Sequence, residues 1–263
     1  MLIAMAVAAP VLATDRPWLS HGPDGFVSPI LRHLLGMLLP EGSTERAVLP
    51  APIPYDPAHL DLDAVLEPPS RRHWMGTDGL GRDVVARLLH GARVSLSVGI
   101  LTAGLALLIG LPLGALAGYR GGWLDAVVSR LIEAVLCFPI LLLALAILGM
   151  SPPWLSRFPD VLRIPVVLAV AAWTPVARYL RGEFLRIRDL DMIAAARASG
   201  AGHLRVVARH ILPSAMAPVL VTTTFMVGGA ILAEAALSFI GLGVQAPTPT
   251  WGGAAKGSLD AHP

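Results

Sequence analysis

Charge is what this chain has least of. Only 14% of its 263 residues are Asp, Glu, Lys or Arg, 6% are aromatic, and there is a single cysteine, Cys137. A soluble domain carries about 25% charged residues. With 55% hydrophobic residues and a mean hydropathy of +0.67, a water-soluble core is excluded and a polytopic membrane protein is indicated. One cysteine excludes an internal disulfide, and its place in an apolar run predicts a small buried side chain. The formal charge of +2 is too small to point to nucleic acid. Chemistry-bearing motifs are missing too. There is no Gly-x-x-x-x-Gly-Lys-Ser/Thr phosphate loop, no His-Glu-x-x-His, no Gly-x-Ser-x-Gly and no cysteine pair. Enzymatic activity, a bound cofactor and a metal site are not expected, and any ATP hydrolysis belongs to another chain.

What is present is a set of apolar runs punctuated by arginine. Residues 1–13 are apolar but too short for a spanning helix of about 20 residues; they read as part of a first span or a signal-like segment. Residues 14–90 are polar and Pro-rich, with one short apolar patch from Ile30 to Leu39. Near its end Val84, Val85, Leu88 and Leu89 oppose Arg82, Asp83 and Arg87, which predicts a short amphipathic helix lying along the membrane surface. Four apolar runs follow: Val94–Tyr119, Ala126–Met150, Val161–Tyr179 and Ala215–Ile240. Gly110, Gly114 and Gly118 form a small-residue face suited to close helix contact. Pro112 predicts a kink, and Arg120-Gly121-Gly122 a tight turn. Arg130 and Glu133 are spaced to pair on one helix face. Intramembrane charges mark function, but this pair lies near a run end, where a structural ion pair is the simpler reading. Glu234 is read as lining a pathway or ordering the loop after it, with the structural role favoured.

The organising stretch is Asp191 to Pro213, polar and Arg-rich between apolar runs. Ala194, Ala195 and Ala196 favour helix, and Gly200 can end that helix in the left-handed region. Leu204, Val207 and Ile211 then share one face of a second helix, which Pro213 is expected to break. The pattern is two short helices with a glycine elbow, a shape suited to a knob that docks into a groove. The loop around this stretch holds Arg178, Arg181, Arg186, Arg188, Arg197, Arg205 and Arg209 against Glu183, Asp189 and Asp191, whereas the loop at 151–160 holds only Arg157. The bias of positive charge toward the inner side makes the Arg-rich loop cytoplasmic and the 14–90 loop external.

The spacing from Ala194-Ala195-Ala196 to Gly200 and on to Leu212-Pro213 resembles the EAA loop of ABC-importer permeases. Ala194 replaces the pattern's Glu, and His210 replaces its Ile, with Ile211 beside it. Two further phrases resemble the dipeptide and oligopeptide permeases of the DppC/OppC type: Gly76-Thr77-Asp78 through Gly91-Ala92-Arg93, and Ala233-Glu234-Ala235-Ala236 through Pro249-Thr250-Trp251-Gly252. The resemblance covers about Pro52 onward. It implies an all-α, type I importer transmembrane fold with about five of the usual six spans, the chain being shortened at one or both ends. The expected organisation is a partial first span (1–13), an external loop with a surface helix (14–93), a transmembrane permease region (94–240) containing the coupling loop (181–213), and an external loop (241–263). The implied function is peptide import across a bacterial inner membrane. The implied partners are a second permease subunit, two ABC ATPases docked on Ala194–Ala196, Gly200, His210, Ile211, Leu212 and Pro213, an external solute-binding protein and the lipid bilayer. A nickel importer of the same family is the near alternative. An ion-gradient transporter is a distant one, since it would place ionisable residues at mid-membrane.

Overall fold

The computed structural model describes residues 2–15, 18–22, 25–27, 46–49, 51–245 and 247–259; the Ile30–Leu39 patch lies outside them. The chain divides into two compact units, one formed by residues 1–96 and 238–263, the other by 97–237.

In the first unit, helix α1 (Leu2–Leu12) has 11 residues, about 16 Å of helix against a hydrocarbon core of about 30 Å. Its exit is tied down: Ala13 bridges Ile53, and His90 Nε2 lies 2.7 Å from the Ala13 carbonyl. Ala9, Ala13, Ile53, Ala86 and Leu89 form the small core there. The long polar segment after α1 is not wholly irregular. Strands β1 (Leu19–Gly22), β2 (Gly25–Val27) and β3 (Arg46–Leu49) make an antiparallel sheet in the order β2-β1-β3. No alternation of apolar and polar residues long enough to announce it runs through these short segments.

Residues 61–83 form a tight tongue closed by Asp78. Its carboxylate accepts from the backbone N–H of Leu80 and Arg82 at 2.9 and 3.0 Å and from Arg82 Nε at 2.8 Å. Burial alone would raise the Asp78 pKa, but these bonds outweigh it and hold the carboxyl below its ordinary value. His73, stacked on Tyr55 at 4.5 Å, reaches Asp83 at 2.9 Å, and Asp83 in turn accepts from the Ala86 N–H, capping the next helix.

That helix, α2 (Val84–Arg120), is one element of 37 residues. The separate surface helix expected before the first full span is therefore its opening turns. Nothing between Leu89 and Val94 breaks a helix, because Gly91 supplies close contact rather than a bend. A Cβ on Gly91 would come within 3.0 Å of Thr250, and the Trp251 indole donates to the Leu88 carbonyl at 3.0 Å. Helix α8 (Trp251–Leu259) begins at that tryptophan, whose backbone N–H donates to Ser95 Oγ at 3.2 Å.

The second unit is helical. After the turn at Gly121 and Gly122 come α3 (Gly122–Leu136) and α4 (Ile140–Met150), bent by 84° at their junction. Pro139 cannot donate to the preceding turn and pushes Phe138 out of helical geometry, so the second expected span is a broken pair. Cys137 at this break is exposed, which corrects the expectation of a buried side chain: the helix ends there, so no neighbouring turn covers it. Helix α5 (Asp160–Ile187) continues through Pro165 and Pro175. The Thr174 hydroxyl donates to Ala171 O at 3.4 Å, a carbonyl that Pro175 leaves without its helical N–H.

The glycine face of α2 is used as expected. A Cβ at Gly110 would lie 2.8 Å from Trp173 O, at Gly114 2.6 Å from Ala177 O and at Gly118 2.5 Å from Phe184 Cβ, so only glycine lets α2 and α5 approach this closely. Helix α6 (Asp191–Ala198) leads to α7, which runs from His203 to Ile240. Among the described residues three helices (α2, α5 and α7) are long and apolar enough to cross a membrane, or four spans if the bent α3–α4 pair counts as one.

Candidate coupling site

The polar stretch after α5 folds into a compact elbow. Helix α6 ends in a Schellman arrangement: Ala201 N–H donates to Ala196 O at 3.1 Å and Gly200 N–H to Arg197 O at 2.9 Å. This closure requires Gly200 in the left-handed region, and its φ is +83°. A Cβ there would meet nothing within 4 Å, so glycine is needed for backbone conformation alone. Ala194 and Ala195 are exposed and Ala196 is half-buried. Ile193, Val206 and Ile211 are fully buried and share one core with Val176, Leu180, Phe184, Ile187, Ala215 and Val219. The elbow is thus fastened by apolar insertion between α5 and α7.

The residues after Gly200 depart from expectation twice. Pro213 does not end the second helix. Residues Val207–Ile211 form a π turn, and the Leu212 N–H donates five residues back to Val207 O. One extra residue in the turn makes room where the Pro213 ring would otherwise meet the preceding turn, so the elbow helix flows into the span. Nor do Leu204, Val207 and Ile211 share a face. Leu204 is 86% exposed while Ile211 is fully buried, because Leu204 lies in the first turn, beyond the reach of α5. His210 and Leu212 are half-buried and Pro213 is exposed.

The outward side of the elbow presents Leu190, Met192 and Leu204 as exposed apolar residues, with Arg197, Arg205 and Arg209 also exposed. Sequence spacing had no means to find its braces. Tyr119 at the end of α2 pairs its hydroxyl with His203 Nδ1 at 2.7 Å, and the Arg197 guanidinium lies 5.7 Å from the same ring. Arg188 donates to Gly118 O at 3.0 Å, and Arg181 forms a bidentate pair with Asp125. Tyr119 and His203 are 84 residues apart, so no local rule connects them.

The charged residues singled out in the apolar runs lie apart from the elbow. Arg130 and Glu133 pair at 2.6 Å on α3, with side chains 83% and 59% exposed. Glu234 is fully buried within α7. Among the described residues no cluster of three or more His, Cys, Asp or Glu is placed to hold a metal.

Residues 110–257 match the profile of a family described as the inner membrane component of binding-protein-dependent transport systems. The chain is 41% identical over 187 residues to a dipeptide transport system permease protein, DppC, of Alkalihalophilus pseudofirmus, covering 71% of this chain and 60% of the relative. It is 37% identical over 201 residues to a glutathione transport system permease protein of Pectobacterium atrosepticum, covering 76% and 65%. It is 37% identical over 207 residues to the oligopeptide permease protein OppC of Bacillus subtilis, covering 79% and 66%. The chain therefore spans about three fifths to two thirds of the length of these relatives. A solved inward-facing MetNI methionine ABC transporter shares the fold at a TM-score of 0.53 and 23% identity, over 61% of this chain and 76% of that one. The profile match over more than half of the sequence, on a bundle of spanning helices joined by an elbow, places the chain in the family of binding-protein-dependent transport system inner membrane components.

Proposed function

We propose that this chain is a permease subunit of an ATP-driven importer of short peptides. In this reading it forms half of a translocation pathway with a second, homologous permease subunit, in a bacterial inner membrane. The observation that carries the reading is the elbow at 191–213. It is rigidly fastened on its inner side by Ile193, Val206 and Ile211. On its outer side it offers Leu204, Met192 and Leu190 beside exposed arginines. A preorganised apolar tip with a basic surround is what a groove on a partner ATPase engages at low ordering cost. The absence of a phosphate loop from the sequence supports placing ATP hydrolysis on that partner.

The mechanism is mechanical. Closure of two ATPases on ATP draws two docked elbows together. Because each elbow is continuous with α7 and packed on α5, the pathway between the permease subunits switches between inward and outward access. An external binding protein delivers the solute. The Arg bias sets the elbow on the cytoplasmic side. The names of the dipeptide, oligopeptide and glutathione relatives favour peptides over nickel as the solute. Arg130 and Glu133 serve as an ion pair at a helix surface, and Glu234 serves to order the end of α7.

The test is co-purification with the candidate ATPases, comparing the native chain with Leu204→Asp. Leu204 touches little of its own chain, so Leu204→Asp leaves the fold intact and abolishes co-purification. A stably inserted native chain that retains no ATPase refutes the reading, as does a Leu204→Asp chain that retains it fully.

A further inference from the structure

The second unit contains a cavity of about 450 Å³ bounded by α2, the α3–α4 break, α5 and α7. Ligand pockets run from about 300 to 1,000 Å³, and this one opens to one side, where Phe138 and Phe225 are exposed. Three observations mark it as a binding site. First, Phe138 and Ile140, which flank the Pro139 break, form part of its wall. Irregular backbone at membrane depth is tolerated where it is covered by protein or lines a cavity, and broken helices border solute sites in transporters. Second, Thr102 on α2 lines the cavity, is 1% exposed, and its Oγ1 has no hydrogen-bond partner among the described residues. A buried hydroxyl left unpaired is costly, and a ligand that enters the cavity can partner it. Third, apart from Thr174 and Thr222 the remaining described lining is apolar, with no Asp, Glu, Lys, Arg or His. The Thr174 hydroxyl is already engaged with Ala171 O and the Thr222 hydroxyl with Pro218 O.

We infer that this cavity holds an uncharged, apolar side chain of the carried peptide, with the Thr102 hydroxyl bonded to the peptide backbone beside it. The inference rests on the peptide reading above and adds the part of the solute that this subunit selects. The charged ends of a peptide find no counter-charge in this lining and stay outside the cavity. Selection by size follows: a bulky aliphatic or aromatic residue fills the space, and an alanine does not.

Gly229 gives the test. It lines the cavity, and a Cβ on it meets nothing within 4 Å, so Gly229→Leu adds an apolar side chain there from an open backbone position. Gly228 is equally open but is not part of the lining, so Gly228→Leu is the matched control. The complete transporter, with its permease partner, ATPases and binding protein, is reconstituted in vesicles and assayed for uptake of Leu-Leu and Ala-Ala. In Gly229→Leu, uptake efficiency for Leu-Leu falls about tenfold or more, as expected for loss of a large apolar contact, and that for Ala-Ala stays within about twofold. Thr102→Val lowers both by about fivefold, the worth of one hydrogen bond, and Gly228→Leu changes neither. Equal loss of both peptides in Gly229→Leu, or no loss of either, overturns the inference. Loss of the permease partner from the purified Gly229→Leu complex also overturns it, because the cavity is then covered by protein. A native transporter that carries other solutes but neither peptide overturns the peptide reading itself. One that carries both, with no size discrimination introduced by Gly229→Leu, overturns only the cavity assignment.

Discussion

Replacing Gly200 separates backbone conformation from size, because the site is open. At φ +83°, with no atom within 4 Å of a would-be Cβ, an L-residue meets backbone strain of about 1–2 kcal/mol and no clash. Leaving the left-handed region instead forfeits the Ala201–Ala196 and Gly200–Arg197 hydrogen bonds, at about 1 kcal/mol each. Either route costs about 2 kcal/mol for valine, less for alanine, and least for asparagine, which visits this region readily. Two kcal/mol is about a thirtyfold loss in the population of the correctly bent elbow. Solute taken up per ATP hydrolysed, in vesicles holding the assembled transporter, should rank glycine, asparagine, alanine, then valine, with the protein still present in the membrane. Asparagine as poor as valine would mean that bulk matters rather than φ. Alanine equal to glycine would mean that the elbow needs no left-handed residue.

Other consequences are equally open to measurement. Gly114→Val drives a side chain into Ala177 O and should destabilise the helix bundle by about 1–3 kcal/mol, seen as a lower melting temperature in detergent, whereas Gly228→Val should not. Tyr119→Phe removes the hydroxyl that meets His203 at a cost of about 1 kcal/mol; ATPase stimulation by solute should fall while the yield of folded protein holds. The Asp78 carboxyl is held below its ordinary value, so its stabilisation of the tongue is complete above the unfolded pKa of about 3.9 and is lost as pH falls through the lower folded value. Thermal melting should therefore show an acid-side loss that Asp78→Asn, already weakened at neutral pH, lacks. A cysteine introduced at exposed Arg205, with Cys137 replaced by serine because it is itself exposed, should resist impermeant labels in intact cells; efficient labelling would reverse the orientation.

Much of this architecture is legible from local rules, because those rules act over one or two helical turns. Gly200 announces the elbow, and the Gly110–Gly118 spacing announces a close helix pair. What escapes is set by cooperation across the chain. Pro213 reads as a helix breaker until the π turn at Val207–Ile211 absorbs it. Leu204 reads as a core residue by periodicity, yet the elbow places it beyond α5. The contact of Tyr119 with His203, and that of Trp251 with Leu88 and Ser95, join residues with no sequence relation. The phrases around Gly76–Arg93 and Pro249–Gly252 look like separate signatures, but in the first unit they are two halves of one packed arrangement.

The continuity of α7 through Pro213 has a geometric consequence. From His203 to Ile240 it is a single beam of 38 residues, about 57 Å long at 1.5 Å per residue. At Gly99 on α2, a Cβ would come within 2.9 Å of its Val227 O. A contact this close is where a pivot of the helix against α2 would sit. Counting residues, the arm toward Leu204 is about 35 Å and the arm toward Ile240 about 20 Å. A beam pivoting there halves displacement and nearly doubles force between the elbow and the far end. In the proposed coupling, a stroke of several ångströms at the Leu204 end would become a smaller, more forceful one toward the other end of the helix.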